Sequence, residues 1–500
     1  MRLSLSLLAA LLAGAMTVYG FAPYRLYWLL PLSLAVLAEL AQRNSNRAFL
    51  LGYSWGMGAY TANFYWIYHS LYAIAGVPAW LAIPITALLP AYLALYPGVA
   101  IWASCRLCSH YWVRWLLAFP AFWTLTEWLR GWILTGFPWG QVGYSQITES
   151  PLAGFATVGG IYTVTFIVAL YAGLLVLLAR ANLRVRIILL IIATLIGSCG
   201  SWLKEIKWTK TVGKPFSIAL AQGNIRQNIK WDRAYFVETL TLYYTQVANT
   251  HADLMILPET ALPVFLDELP SGYLSMLIGS AQRRSMALAA GIPLRTNDKQ
   301  GYLNAVVALT SDTMPYYAKN HLVPLSEFIP LRGVIGWLYQ YINMPLADFT
   351  PGGTYQAPLA MAGQKIAFNI CYEDSFGEEL ITTAKEATLL VNVSNLAWFG
   401  KSQAQSQHLQ ISQARAIETG RFVIRSTNTG STAIIRPDGE IVSIAAPYTR
   451  QVLIGFAEGR EGVTPYMRYG NLPILLIALC ILFVATILER QSDRSRYTRL

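Results

Sequence analysis

Three residues of this chain could do covalent chemistry together: a glutamate, a lysine and a cysteine, each beside a strand-like apolar segment. Cys371 sits in Ile-Cys-Tyr-Glu-Asp, at the end of the run 366–370. Of the 5 cysteines it alone lies in the long, less apolar stretch from about 203 to 468. Glu259 sits in Leu-Pro-Glu-Thr and Lys319 in Tyr-Tyr-Ala-Lys-Asn-His. A thiol is a strong nucleophile only as thiolate, so it needs a partner that takes its proton. A carboxylate can do that, and an ammonium can stabilise the oxyanion of a tetrahedral intermediate. Taken singly, Glu259 reads as a loop residue and Lys319 as surface charge; the joint pattern gives them a role. His321 and His408 lie in the same stretch, so Cys–His chemistry is an alternative that spacing leaves open.

The elements that must position these residues are of two kinds. Of 500 residues, 55% are hydrophobic and 13% charged, with a mean hydropathy of +0.41, a combination foreign to an ordinary soluble domain. Runs long enough to cross a bilayer fall near 3–21, 25–41, 48–70, 78–104, 111–130, 153–179, 184–202 and 471–489. The first is read as a retained span rather than a cleaved signal, because a second run follows within a few residues. Arginines cluster in alternate loops (Arg43 and Arg47; Arg106 and Arg114; Arg180, Arg184 and Arg186) and in the tail (Arg490, Arg494, Arg496, Arg499). That alternation puts both termini in the cytoplasm and the stretch 203–468 on the far side. Lys204, Lys207, Lys210 and Lys214 run against it, but long translocated domains largely escape the rule. The net charge of +11 therefore reflects topology rather than nucleic-acid binding, for which no signature is present.

Within 214–460 short β-rich runs alternate with polar helical ones. Strands are expected at 217–221, 254–257, 287–291, 305–310, 366–370, 389–393, 422–426 and 432–436, with helices at 232–249 and 405–420. This is an α/β layered pattern. Strand ends, where Glu259 and Cys371 fall, are where open α/β sheets carry their sites. The segment 131–152, with Trp132, Trp139 and Tyr144, reads as interfacial. Apolar loops at 264–266 and 334–339 are candidates for dipping into lipid. Cys105 and Cys108 form a Cys-x-x-Cys with no second pair, short of a metal site.

Leu-Pro-Glu-Thr, the lysine ahead of His-Leu-Val-Pro-Leu-Ser-Glu, Ile-Cys-Tyr-Glu, and Asn-Val-Ser-Asn-Leu-Ala-Trp-Phe-Gly together resemble the nitrilase, or carbon–nitrogen hydrolase, superfamily. With seven apolar runs before that region, one after it, and Gly-Phe-Pro-Trp ahead of the sixth, the whole chain is similar to the bacterial apolipoprotein N-acyltransferase family. The resemblance implies a bundle of eight transmembrane helices plus an α/β, nitrilase-like αββα sandwich. Helices 1–7 would occupy 1–203, the periplasmic catalytic domain 204–468, and helix 8 with a short basic cytoplasmic tail 469–500.

It also implies an enzyme of the bacterial inner membrane. Cys371 is the nucleophile, Glu259 the general base and Lys319 the oxyanion stabiliser, with Trp231, Glu327, Tyr372 and Glu373 in substrate-binding or supporting positions. The sn-1 acyl chain of a phospholipid, phosphatidylethanolamine first among candidates, passes through a Cys thioester to the α-amine of a diacylglyceryl-cysteine apolipoprotein. Neither cofactor nor metal is expected, nor a second subunit. Two stretches depart from the family's usual residues: Leu325-Ser326 where Phe-Gly is common, and Leu396 where Asp is common. The rival readings are a membrane-tethered amidase and a transporter with an appended domain; the second expects intramembrane charge along a transport path, and the apolar runs carry little, Glu39 and Glu127 near their ends.

Overall fold

The computed structural model describes residues 3–296, 298–310, 313–341 and 348–497, with side chains at all of these except 334–335, 338–340 and 492–497. Arg494, Arg496 and Arg499 of the basic tail, and most of the apolar loop 334–339, lie outside the described side chains. The chain divides into two compact units. One comprises Met1–Tyr65, Ile83–Ile206 and Arg468–Leu500, the other Trp66–Ala82 and Lys207–Met467.

The first unit is helical. Among the described residues, five helices are long and apolar enough to cross a membrane: Leu3–Gly20, Ala79–Leu107, Pro151–Leu178, Leu183–Glu205 and Leu472–Gln491. Three other expected runs fall on shorter helices, Leu29–Arg43, Ala48–Phe64 and Phe119–Arg130. Leu183–Glu205 turns Ile187, Ile188, Leu190, Ile191 and Leu195 outward. That is the pattern of a helix solvated by lipid rather than water. Small residues set the closest packing. A methyl group on Gly14 or Gly58 would strike the carbonyl of Trp55 or Leu11, so Leu3–Ala15 and Ala48–Phe64 cross backbone to backbone.

The segment 131–152 corrects the interfacial reading. Trp132 is exposed, but Trp139 and Tyr144 are buried inside the helical unit. The chain there forms only short 3-10 turns, Ile133–Thr135 and Val142–Gln146, joined by irregular backbone, and its polar groups are met by a buried ion pair, Glu127 with Arg130. Arg130 Nη1 donates to the carbonyls of Phe137 (2.6 Å) and Trp139 (2.9 Å), and Glu127 accepts from the Val142 N–H (3.3 Å). Irregular backbone survives among apolar helices only when its donors and acceptors are satisfied in this way.

The second unit holds two six-stranded sheets. One has the order β12-β1-β2-β3-β4-β5, built from β1 (Lys210–Gln222), β2 (Leu254–Ile256), β3 (Ala287–Arg295), β4 (Tyr302–Ala308), β5 (Tyr316–Ala318) and β12 (Gln451–Glu461). The other has the order β11-β10-β9-β8-β7-β6, from β6 (Leu359–Met361), β7 (Gln364–Ile370), β8 (Leu389–Ser394), β9 (Val423–Thr427), β10 (Ala433–Ile435) and β11 (Ile441–Ile444). Each has three parallel strands at its centre, β1-β2-β3 and β7-β8-β9, flanked by antiparallel ones.

Strand alternation explains the layering. Ile218, Leu220, Leu254 and Ile256 of one sheet pack against Ile366, Phe368, Val391, Val393 and Ile424 of the other. The alternate residues Ala219, Met255 and Leu288 face helices α1 (Phe236–Ala248) and α2 (Tyr273–Gln282). Ala367, Leu390 and Val423 face α3 (Gly377–Glu386) and α4 (Ala404–Thr419). Both faces are covered, so the central strands read as continuous apolar runs. The result is an αββα sandwich, and all eight expected strands are present in it. The short piece Trp66–Ile74 also belongs to this unit. Trp66 meets Phe399 edge-on and Ser70 Oγ donates to the Trp398 carbonyl (2.7 Å), so it covers the Leu396–Phe399 turn.

Candidate active site

Cys371 is the first residue after β7, and Glu259 lies three residues past the end of β2. Lys319 is the first residue after β5. Parallel strands carry Glu259 and Cys371 to the same kind of edge, the C-terminal one. Glu259 turns sharply because Thr260 adopts φ +45. Gly291 on β3 permits the turn to lie close: a Cβ there would collide with the Pro258 carbonyl and the Thr260 nitrogen.

The Glu259 carboxylate is fixed at both oxygens. Oε1 accepts from Asn304 Nδ2 on β4 (2.8 Å), and Oε2 accepts from the Asn395 backbone N–H just past β8 (2.7 Å). Asn304 also donates to Glu327 Oε1 (3.1 Å), so one amide holds two carboxylates. Glu327 Oε2 pairs with the buried Lys319 ammonium at 2.7 Å and accepts from the Val323 N–H (2.8 Å). Cys371 feels the charges of Glu259, Lys319 and Glu327, and Lys319 those of Glu327, Cys371 and Glu259. The three residues singled out for chemistry are therefore brought together, with Glu327 as a fourth member.

Burial pushes the Cys371 thiol well above its usual range; the Glu259 carboxylate pushes the same way, and the Lys319 ammonium opposes both. Burial also pulls Lys319 down, but Glu327, Cys371 and Glu259 together overcome it and hold the ammonium charged. These influences favour the neutral thiol at Cys371, beside the Glu259 and Lys319 side chains. A group whose folded pKa exceeds its ordinary 9.0 supports the fold below that pH, and the contribution is lost as pH rises beyond it. The margin in thermal stability of the native protein over Cys371→Ser should therefore shrink between about pH 9 and about pH 10.5. A melting series on both proteins across that range checks it, and a flat margin would refute the shift.

Cys371 itself has φ +56, a strained conformation for a side-chain-bearing residue. Two donors hold its carbonyl: Asn392 Nδ2 (3.2 Å) and His408 Nε2 (3.1 Å). His408 Nδ1 faces Arg425 Nη2 at 3.2 Å, so it accepts there and the proton sits on Nε2. Burial, and then the Arg425 cation, keep this imidazole neutral. Both of its nitrogens are engaged, which removes His408 as a general base. His321 stacks on Phe376 (3.6 Å) and pairs through Nδ1 with Glu379 (2.9 Å), committed to a different neighbourhood. The Cys–His alternative is not supported.

The supporting positions divide. Trp231 and Glu327 line a cavity of about 60 Å³ together with Glu259, Thr260, Ser326, Phe349 and Trp398. Glu373 lies behind the site. Its carboxylate accepts from the N–H groups of Ile370 (2.6 Å), Asn320 (2.7 Å) and His321 (3.1 Å) and from the Tyr317 hydroxyl (2.9 Å). It ties the segment carrying Lys319 to the strand carrying Cys371. Tyr372 is buried, edge-on to Phe376 and His321. Of the departures from family pattern, Leu325 takes φ +65, Ser326 lines the cavity and Leu396 is buried.

Sequence reasoning gave no role to Asn304, Asn392, Asn395, Lys230 or Arg425, and it singled out His408 as a base rather than as a donor to the Cys371 carbonyl. A signal existed for the first two: an amide inside an otherwise apolar strand needs a partner.

Two family models match the chain. The apolipoprotein N-acyltransferase N-terminal domain covers residues 13–174 and the carbon–nitrogen hydrolase domain residues 217–456. A protein called apolipoprotein N-acyltransferase from Chromobacterium violaceum is 63% identical over 98% of this chain and 95% of its own length. Proteins of the same name from Neisseria meningitidis serogroup A (47% identical; 95% of each chain) and Nitrosomonas europaea (42%; 95% of this chain and 96% of that one) align as fully.

Proposed function

Since the chain belongs to the apolipoprotein N-acyltransferase family, we propose that it moves an acyl chain from a phospholipid to the N-terminal amine of an apolipoprotein, through a thioester on Cys371. The single observation that carries this reading is the cluster in which the buried Glu259 carboxylate and Lys319 ammonium meet the strained, half-buried Cys371. Glu259 takes the thiol proton as Cys371 Sγ attacks the sn-1 ester carbonyl. The Lys319 ammonium stabilises the oxyanion. The ester C–O bond breaks, the leaving alkoxide takes the proton from Glu259, and lysophospholipid departs. The α-amine of a diacylglyceryl-cysteine then attacks the thioester, loses its proton to Glu259, and leaves as an amide while the thiol is regenerated.

Phosphatidylethanolamine is the proposed donor and the monomer the proposed working state, with neither metal nor cofactor. The setting is the bacterial inner membrane, with eight spans and the α/β unit in the periplasm. Both substrates are held in the bilayer by their acyl chains, at roughly 0.8 kcal/mol per buried methylene. A membrane-anchored site spares either from leaving. An amidase would gain nothing from that arrangement.

The test is incubation of the detergent-solubilised protein with phosphatidylethanolamine labelled in the sn-1 chain, followed by a lipopeptide bearing a diacylglyceryl-cysteine. A covalent adduct of acyl mass on Cys371, discharged by the lipopeptide into an amide, is the expected result. Absence of the adduct, with hydrolysis of simple amides instead, would return the amidase.

A further inference from the structure

Lys230 is 3% exposed, in the turn before α1, and plays no part in the mechanism above. Asp232 fixes that turn by accepting from the Ala234 N–H (2.9 Å) at the start of the helical segment. The Lys230 ammonium donates to two groups on either side of one peptide: the Glu259 carbonyl (3.1 Å) and Thr260 Oγ1 (2.8 Å). That peptide is where the chain enters the left-handed conformation of Thr260. A threonine pays for such a backbone only where its surroundings over-determine it. Two charge-assisted bonds from one buried cation supply that constraint. The charged and titratable groups facing Lys230 are Glu259, from the turn after β2, and Cys371, from the end of β7.

We propose that Lys230 is a positioning residue for the acyl transfer: it pins the Glu259–Thr260 peptide, and so aims the Glu259 carboxylate at Cys371, while its charge balances the cluster. The inference rests on the function proposed above. The balance is simple to state. With a neutral thiol, Lys230 and Lys319 offset Glu259 and Glu327. Without the Lys230 charge the cluster is left net negative beside a sulfur that must become an anion.

Burial, opposed by Glu259 and Cys371, brings the Lys230 ammonium down to about 8. The first half-reaction should then weaken as pH rises through about 8, when Lys230 loses its proton. Following acyl-enzyme formation alone keeps the acceptor amine, which titrates in the same range, out of the measurement.

The test compares native protein, Lys230→Met, Lys230→Arg and Thr260→Val for the rate of acyl-enzyme formation from labelled phosphatidylethanolamine between pH 6 and about 9.5. Misaiming the base by about 1 Å should cost Lys230→Met about 100-fold in the rate constant, with little change in the lipid concentration giving half-maximal rate. Its alkaline limb should vanish. Lys230→Arg should restore part of the rate and carry the limb out of the range. Thr260→Val should lose about tenfold and keep the limb, since it removes one bond and leaves the cation. Thermal melting of each variant separates misfolding from misaiming. Lys230→Met that folds, reacts at the native rate and keeps the limb overturns the proposal. A native protein that forms no acyl-enzyme overturns the function beneath it instead.

Discussion

Cys371→Ser is expected to form no detectable acyl-enzyme and to transfer no acyl chain, a loss of at least about 10⁴-fold in the rate constant. The reason is local. Burial, with the Glu259 carboxylate, already makes the thiol hard to ionise, and one carboxylate accepts its proton only because sulfur bears negative charge well. A serine hydroxyl in the same place is a far weaker acid than a thiol and a poorer nucleophile. The substitution is close to isosteric, and the Asn392 and His408 bonds go to the backbone carbonyl, so the φ +56 conformation persists. Mass spectrometry after incubation with labelled phospholipid, beside a melting curve showing an intact fold, makes the measurement. A serine variant that still transfers acyl chains would remove the thioester from the reaction.

Glu373→Ala is expected to destabilise the α/β unit by about 3–5 kcal/mol, because several buried donors lose their acceptor at about 1–3 kcal/mol each. That corresponds to a fall of about 10 °C in Tm for a unit of this size. The stranded donors are the N–H groups of Ile370, Asn320 and His321 and the Tyr317 hydroxyl. They flank Cys371 on one side and Lys319 on the other, so acyl-enzyme formation should also slow, by about 100-fold at a temperature where the variant is folded. Glu373→Gln separates shape from charge. An amide offers one oxygen and one NH2, and whichever side receives the NH2 meets an N–H donor head-on. Its Tm should fall between native and Ala. Calorimetry on the three proteins decides it, and equal melting of Glu373→Ala and native protein would dismiss the clamp.

The sequence shows the centre of this fold better than its edges. Buried parallel strands must be apolar throughout, so 254–257, 366–370 and 389–393 announce themselves. β12 does not: Gln-Val-Leu-Ile-Gly-Phe-Ala-Glu-Gly-Arg-Glu mixes exposed apolar and charged residues, and its place comes from pairing with β1 along most of its length. The three chemical residues could be read because type and motif single them out. Their supports are harder to read: Asn304 shows only as an amide inside an apolar strand, with no hint of its partner, and Asn395 acts through geometry made by strands distant in sequence. Lys230 carries no signal of its own in the sequence, since a single lysine reads as surface charge until the fold buries it against the Glu259–Thr260 peptide. The piece 66–70 was read as the end of an apolar run, because Trp66, Ile67 and Tyr68 suit lipid and a protein surface equally.

That piece has a practical corollary. The α/β unit is assembled from two stretches of chain, and the shorter, Trp66–Ala82, is separated from the longer by more than a hundred residues. A recombinant fragment beginning at 207 and ending at 467 would lack it. Phe399 would lose its Trp66 partner, and the turn bearing Trp398 would lose the Ser70 bond. Such a fragment would bare an aromatic surface beside the cavity lined by Glu259 and Trp398, and aggregation during expression is its expected fate. A loop fusion that returns residues 66–82 in cis is the better route to a crystallisable catalytic unit.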